Sequence, residues 1–387
     1  MKDVFIVGSK GIPANYGGFE TFVDNLVSRQ EDKQIKYHVA CMTFDKEPRQ
    51  YEYADADCQE ITVPNIGGAK AVLYDLKALD WALAKIKQEN MKDGIVYILA
   101  CRVGPFIHRY VKKFHRYGFK VWVKPDGNEW KRAKWSAPIR KYWKVSERLM
   151  VKNADFLVCD SRSIEAYIKH DYAKYDPQTT FIAYGADVSA SKLVEDDPKV
   201  TQWYTKHHVT PNDYFLIVGR FVPENNYETM IREFMASDVK QDLVIITNVE
   251  KNKFYEELKQ KTHFENDPRI KFVGTVYDAE LLKYIRENAL GYLHGHSVGG
   301  TNPSLLEALG STRLNLLLDV GFNKEVGESG ALYWGTKQGE LKHVLESVAK
   351  LDQTQKDQLA KVAKQRIKQQ YSWEKIVTDY ENIFLRG

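Results

Sequence analysis

Short apolar runs alternate with helical patterns along nearly the whole chain. In the first half the runs are Lys2 to Ser9, Tyr37 to Thr43, Ile61 to Val63, Ile95 to Ala100, Lys120 to Lys124, Phe156 to Cys159 and Thr180 to Ala183. Helical patterns, for example Tyr74 to Gln88, separate most of them. Continuous apolar strands joined through helices predict a parallel sheet covered on both faces. Ligands of such sheets sit beyond the carboxyl ends of the strands.

A polar stretch, Ser189 to Lys199 and then Thr201 to Asn212, interrupts the pattern. It resumes with Tyr214 to Val218, Leu243 to Thr247, Ile270 to Val273, Gly291 to His294 and Leu314 to Leu318. At 387 residues the chain is long for one core. Two doubly wound α/β domains are therefore expected, over 1–190 and 191–370, with a last helix in 371–387 whose packing partner the sequence does not identify.

Composition narrows the class. Apolar residues make up 43% and charged residues 28%, as in ordinary globular proteins. No run of 18 apolar residues is present, which excludes a membrane-spanning helix. The N-terminus enters an apolar strand without a signal-peptide pattern, and Cys41, Cys58, Cys101 and Cys159 form no C-x-x-C pair. Reduced thiols, a cytoplasmic setting and no zinc site are expected. Net charge is +4, but Pro105 to Lys152 holds 14 Lys and Arg against Asp126, Glu129 and Glu147, a local +11. Such a block calls for an anionic partner.

Four loops at predicted strand ends carry the candidate chemistry. Gly291 to Gly310 runs from strand to small polar loop to helix, with Asn302 and Pro303 suited to open the helix. Gly299 and Gly300 allow close backbone approach, and the helix start favours an anion. His296, Thr301 and Glu307 lie in the same stretch, and Glu307 is placed to accept hydroxyls of a ribose. Ser304-x-x-Glu307 also fits a capping box. A second glycine-rich loop, Gly8 to Gly18, precedes a helix with apolar residues at Phe19, Phe22, Val23, Leu26 and Val27. It is neither a dinucleotide fingerprint nor a Walker A loop. Arg220 follows Val218, where its fork would match phosphate oxygens.

The strand Val121-Trp122-Val123 runs into Asp126-Gly127-Asn128-Glu129-Trp130-Lys131-Arg132. Asp126 there is read either as a turn residue or as an acceptor of sugar hydroxyls and a base. Beyond it, Trp135, Tyr142 and Trp143 are mixed with Lys134, Arg140, Lys141, Lys144, Arg148 and Lys152. That mixture suits an anionic membrane surface, or a solvated basic helix with its aromatics toward the core. No nucleic-acid motif appears. Asp55-Ala56-Asp57 resembles a metal clamp but sits in a charged loop, and is read as a solvated turn.

Taken together, these residues resemble the GT-B glycosyltransferases of family 4, which are retaining nucleotide-sugar enzymes. Gly17-Gly18-Phe19-Glu20, Val218-Gly219-Arg220-Phe221-Val222-Pro223-Glu224 and the Pro303-to-Gly310 helix with Glu307 match that family in order and spacing. Within it the chain is most similar to the bacterial branch that moves L-rhamnose in polysaccharide assembly. Asp126-Gly127-x-Glu129-Trp130-Lys131-Arg132-x-Lys134-Trp135, Val222-Pro223-Glu224-Asn225-Asn226-Tyr227 and Gly299 to Glu307 carry that similarity.

The resemblance implies two Rossmann-like doubly wound domains facing each other across a cleft. The N-terminal domain would bind the acceptor and the C-terminal domain the nucleotide sugar. It implies a donor site of Gly17, Gly18, Arg220, Asn225, His296, Gly299, Gly300, Thr301, Asn302 and Glu307. An acceptor site of Asp126, Glu129, Lys131 and Arg132 is implied too, with Asp126, Arg220 and Glu307 as catalytic residues. The co-substrate would be dTDP-β-L-rhamnose and the acceptor a lipid-linked saccharide, with no metal or other cofactor. The protein would lie on the inner face of the plasma membrane and would not bind nucleic acid.

Two departures bear on the donor. The first glutamate of the family's Glu-x7-Glu pattern is replaced by Gly299, and a usual lysine is replaced by Asn225. Rival readings are a family 4 transferase using a UDP-hexose, a nucleotide-sugar epimerase, and a non-catalytic nucleotide-binding scaffold at the membrane. The absence of an NAD fingerprint disfavours the epimerase.

Overall fold

The computed structural model describes the chain except residues 15–16, 126, 133–134 and 250–252. The chain folds as two compact units. One comprises Met1–Gly185, Val298–Gly300 and Trp373–Gly387; the other comprises Ala186–Ser297 and Thr301–Ser372. The polypeptide thus passes between units at 185–186, not at 190, and the last helix belongs with the first unit.

The first unit is built on eight strands, β1 (Lys2–Val7), β2 (Ile35–Thr43), β3 (Gln50–Tyr53), β4 (Ala56–Thr62), β5 (Gly94–Leu99), β6 (Lys120–Lys124), β7 (Phe156–Cys159) and β8 (Thr179–Phe181). Their spatial order is β3-β4-β2-β1-β5-β6-β7-β8. All pairings are parallel except β3 with β4. Every residue of β5 is buried, as its unbroken apolar sequence requires for a central strand.

The hairpin β3–β4 departs from the sequence reading. Ala54 and Asp55 both take left-handed φ, of 45° and 67°, which suits a tight hairpin connection. Asp57 therefore lies on β4 rather than in a loop, and it pairs with Lys36 at 2.9 Å. Asp55 alone is in the turn, bound to Lys33 at 2.8 Å. Among the described residues no group of three or more His, Cys, Asp or Glu is arranged to hold a metal.

The helix Trp373–Arg386 buries Trp373, Ile376, Val377, Tyr380 and Phe384 in the first unit. This is the stripe expected of one helix face. Phe384 packs on Tyr37, Tyr97 and Trp122, with ring centroids 5.6 to 6.2 Å away. Glu381 accepts the backbone N–H groups of Glu31 and Asp32.

The second unit has six strands, β9 (Tyr214–Val218), β10 (Asp242–Ile246), β11 (Ile270–Gly274), β12 (Gly291–His294), β13 (Asn315–Leu318) and β14 (Leu332–Trp334). The order is β11-β10-β9-β12-β13-β14, all parallel. This is the doubly wound order with a switch point between β9 and β12, where a crevice opens at the carboxyl edge. Both units match the expected architecture of parallel sheets sandwiched by helices.

Candidate functional site

At the switch point of the second sheet, β9 and β12 run side by side, with Tyr292 opposite Leu216. The segments that leave their carboxyl ends therefore lie on one edge. Arg220 follows β9 and is exposed; residues 295–302 follow β12 and lead into the helix Pro303–Ser311.

Side chains join the two loops. Asn225 Nδ2 donates to the Arg220 carbonyl at 2.7 Å, and Asn225 Oδ1 lies 2.8 Å from His296 Nδ1. The amide oxygen can only accept, so His296 Nδ1 carries a proton there. Asn226 Nδ2 donates to the Gly295 carbonyl at 2.7 Å. The Ser297 N–H and hydroxyl both donate to the Glu224 carbonyl, at 3.0 and 2.7 Å. From the helix Gly321–Gly327, Asn323 Nδ2 donates to the His296 carbonyl at 3.2 Å. Asn225 is thus a strut between loops, not a gap left where the family places a lysine.

Helix Pro303–Ser311 is capped by Asn302, whose Oδ1 accepts the Ser304 N–H at 2.9 Å. The Leu305 and Leu306 N–H groups donate to the Asn302 carbonyl. Pro303 has no N–H. The first turn is therefore not an open row of donors. What the helix start itself offers an anion is its dipole. The Ser304-x-x-Glu307 box does not form, because Asn302 caps the helix and Glu307 turns to another partner.

That partner is Arg286, at the end of the helix Ala279–Glu287. Its Nη2 lies 2.6 Å from Glu307 Oε2 and 3.2 Å from Ser304 Oγ. The Arg286 side chain is 6% exposed, whereas that of Glu307 is 42% exposed. Ser304 Oγ also meets the Tyr292 hydroxyl at 3.1 Å and the Val218 carbonyl at 3.2 Å. The carboxylate is thus fixed from behind and open in front. No sequence signal marked Arg286, which looks like any cation on an amphipathic helix.

His294, the last residue of β12, is buried; among the described residues its Nε2 has no hydrogen-bond partner, and burial pushes its pKa down to about 3. It is a neutral ring beneath the loop.

Gly299 has φ +123°, a conformation side chains rarely adopt. The family's first glutamate would be strained on this backbone.

In the first unit, Lys10 and Ala14 of the glycine-rich loop are tied to the helix Gly18–Ser28. Glu20 accepts the Lys10 N–H and Asp24 the Ala14 N–H, each at 2.7 Å. Gly17 has φ +129°, and a Cβ there would lie 1.9 Å from Glu20 Oε2. At that sheet's own switch point, Arg102 Nη1 bonds the Gly8 carbonyl at 3.0 Å and the wholly buried Asp75 at 3.2 Å. Burial raises the Asp75 carboxyl to about 6 against the pull of Arg102. Lys124, at the end of β6, is also buried, 3.3 Å from the Tyr380 hydroxyl and over the faces of Phe22 and Tyr184. A charge inside an apolar pattern, as at Asp75 and Lys124, was the signal available for these.

Asp126 lies outside the described residues. Glu129 forms an ion pair with Arg132 and accepts the Trp135 indole N–H at 3.0 Å. Arg132 is buried in that pairing, while Lys131 is exposed and stacks over Trp130 at 5.1 Å.

Solved structures align over the full chain. A sucrose-phosphate synthase from Thermosynechococcus elongatus superposes with TM-score 0.81 at 16% identity, covering 100% of this chain and 99% of its own. The chain has the GT-B fold. Other GT-B neighbours include a UDP-forming α,α-trehalose-phosphate synthase from Burkholderia xenovorans, TM-score 0.75 at 9% identity, and Anabaena Alr3699/HepE in complex with UDP, 0.72 at 12%; each alignment covers 100% of both chains. Residues 1–187 match the family model described as "Domain of unknown function (DUF1972)". A curated relative, "Uncharacterized glycosyltransferase MJ1069" of Methanocaldococcus jannaschii, is 24% identical over 63% of this chain and 62% of its own length.

Proposed function

We propose that this GT-B protein is a retaining glycosyltransferase that moves L-rhamnose from dTDP-β-L-rhamnose to a lipid-linked saccharide in cell-surface polysaccharide synthesis. One observation carries the reading: Arg220 and the Glu307-bearing helix leave adjacent strands at the switch point of one sheet, their loops tied together by Asn225. In this reading Glu307, steadied by Arg286, receives the nucleoside sugar. Arg220 and the amides of residues 299–302 meet the diphosphate, whose charge grows as the C1–O bond breaks. The incoming hydroxyl attacks on the face the phosphate leaves, and the departing phosphate takes its proton. No enzyme nucleophile or metal is needed. Asp126, Glu129, Lys131 and Arg132 are assigned to the acceptor. Gly299 supports a donor unlike glucose or mannose, because the glutamate that would grip such a sugar is absent.

A UDP-hexose donor is the second reading, favoured by the UDP named for the neighbours above. The test offers labelled dTDP-rhamnose, UDP-glucose and UDP-GlcNAc in parallel, with lipid-linked GlcNAc or glucose as acceptor and chelator present. Transfer from dTDP-rhamnose alone is expected. Transfer only from a UDP-sugar establishes the second reading, and nucleotide binding without any transfer establishes a non-catalytic scaffold.

A further inference from the structure

The first sheet has its switch point between β1 and β5, where Val7 lies opposite Ile98. Sheets of this kind take ligands beyond the carboxyl ends of the two strands. Ser9 follows β1 at that edge and Arg102 follows β5. Between β5 and Arg102, the buried Ala100 takes a left-handed φ of 75°. Such a conformation is uncommon for alanine, persists only where the surroundings impose it, and is concentrated at ligand sites. The bend brings Arg102 back to the end of β1, where its Nη1 donates to the Gly8 carbonyl and to Asp75. The Tyr142 hydroxyl donates to the Arg102 carbonyl at 2.6 Å and holds the backbone from the other side.

Asp75, from the helix Ala69–Gln88, is wholly buried, whereas the Arg102 side chain is 17% exposed. The acid is behind and the guanidinium in front. This inverts the pair in the second unit, where Arg286 is behind and Glu307 in front. A carboxylate in front accepts hydroxyl protons. A guanidinium in front donates, and its planar fork matches phosphoryl oxygens. A buried ion pair is a weak device for stability alone, so its place at a ligand edge calls for a use.

Two further observations point to an oxygen-rich anion. The Ser9 hydroxyl is wholly buried and, among the described residues, has no hydrogen-bond partner. Buried polar groups in folded proteins are nearly always bonded, so an orphan beside Gly8 marks a place where a ligand or water is held. Lys10, next in the chain, is exposed, while the acids of the adjoining helix are engaged by backbone, Glu20 with the Lys10 N–H and Asp24 with the Ala14 N–H.

We propose that a phosphoryl group binds on Arg102 and Ser9 at the carboxyl edge of β1 and β5, and that it is the phosphate or diphosphate carried by the acceptor. Naming the acceptor rests on the transferase reading; the binding itself does not. The test titrates the full chain, saturated with dTDP, with inorganic pyrophosphate in a calorimeter. Binding is expected. Arg102→Gln with Asp75→Asn, which leaves no lone buried charge, should weaken it at least about tenfold. Ser9→Ala should weaken it about threefold without lowering the melting temperature, since no described residue bonds that hydroxyl. It carries the test if the paired variant does not fold. Arg116→Gln, exposed in the same unit, should bind as wild type. In transfer assays the paired variant should raise KM at least about tenfold for GlcNAc on a short prenyl diphosphate and leave KM for the octyl glycoside of GlcNAc unchanged. No pyrophosphate binding to the wild type, equal binding by the Ser9 and paired variants, equal loss in Arg116→Gln, or equal loss on both acceptors overturns the proposal. Pyrophosphate binding that depends on Arg102 in a chain that transfers no sugar upholds the seat and removes the transferase reading instead.

Discussion

Glu307 shows how one carboxylate is prepared for a ligand. Arg286 engages Oε2 from the buried side at 2.6 Å, and its fork also reaches Ser304. A lysine has no such fork, so Arg286→Lys is not conservative here. Glu307→Gln should weaken dTDP binding at least about tenfold, or about 1.4 kcal/mol, with little change in melting temperature. Arg286→Lys should lower both. Titration calorimetry beside thermal melts separates the two, and unchanged affinity in both variants removes Glu307 from the site. His294 makes a different prediction. Its folded pKa of about 3 lies below the unfolded value near 6.5, so the unfolded chain binds the proton first. Stability is full above about 6.5 and falls as pH drops toward about 3, by up to about 5 kcal/mol from this group. Urea midpoints across that window should flatten in His294→Phe, and an identical slope in the variant contradicts the assignment.

At the level of elements, the loops after β9 and β12 behave as one body because side chains zip them. Asn225→Ala removes two hydrogen bonds, which should cost about 1 to 3 kcal/mol in urea midpoint. Donor affinity should fall by more than stability does, since the Arg220 carbonyl and His296 lose their common strut. An affinity loss no larger than the stability loss would show that Asn225 only supports the fold. Most elements were legible because a doubly buried strand must be apolar throughout, and β6, β7, β9 and β12 carry the same bounds in sequence and structure. The hairpin β3–β4 was missed because Gln50-Tyr51-Glu52-Tyr53 is an edge strand of mixed polarity, where burial writes no pattern. The helix start at Pro303 was legible from Asn302. What was not legible is that the Asn302 side chain and carbonyl together take the Ser304, Leu305 and Leu306 N–H groups.

Across the whole molecule, the candidate site was legible as separate phrases but not as a network. Arg220, Asn225, His296 and Glu307 stand out by their place at strand ends. Arg286, 21 residues before Glu307 in the chain, joins them only through the fold. The last helix shows the same limit. Its apolar stripe was readable, yet only the fold assigns it to the first unit, where the Tyr380 hydroxyl meets Tyr97 at 3.1 Å and Lys124 at 3.3 Å. The chain therefore completes its first unit only after finishing the second, and both ends of the sequence are needed for one core. We propose that a nucleoside diphosphate binds at the carboxyl edge of β9 and β12. Hydrogen exchange of the full chain with and without dTDP tests it most directly. Protection should rise in residues 219–226 and 295–307 and leave strand β11 unchanged; protection confined to other segments, or none at all at saturating dTDP, rules out binding at this edge.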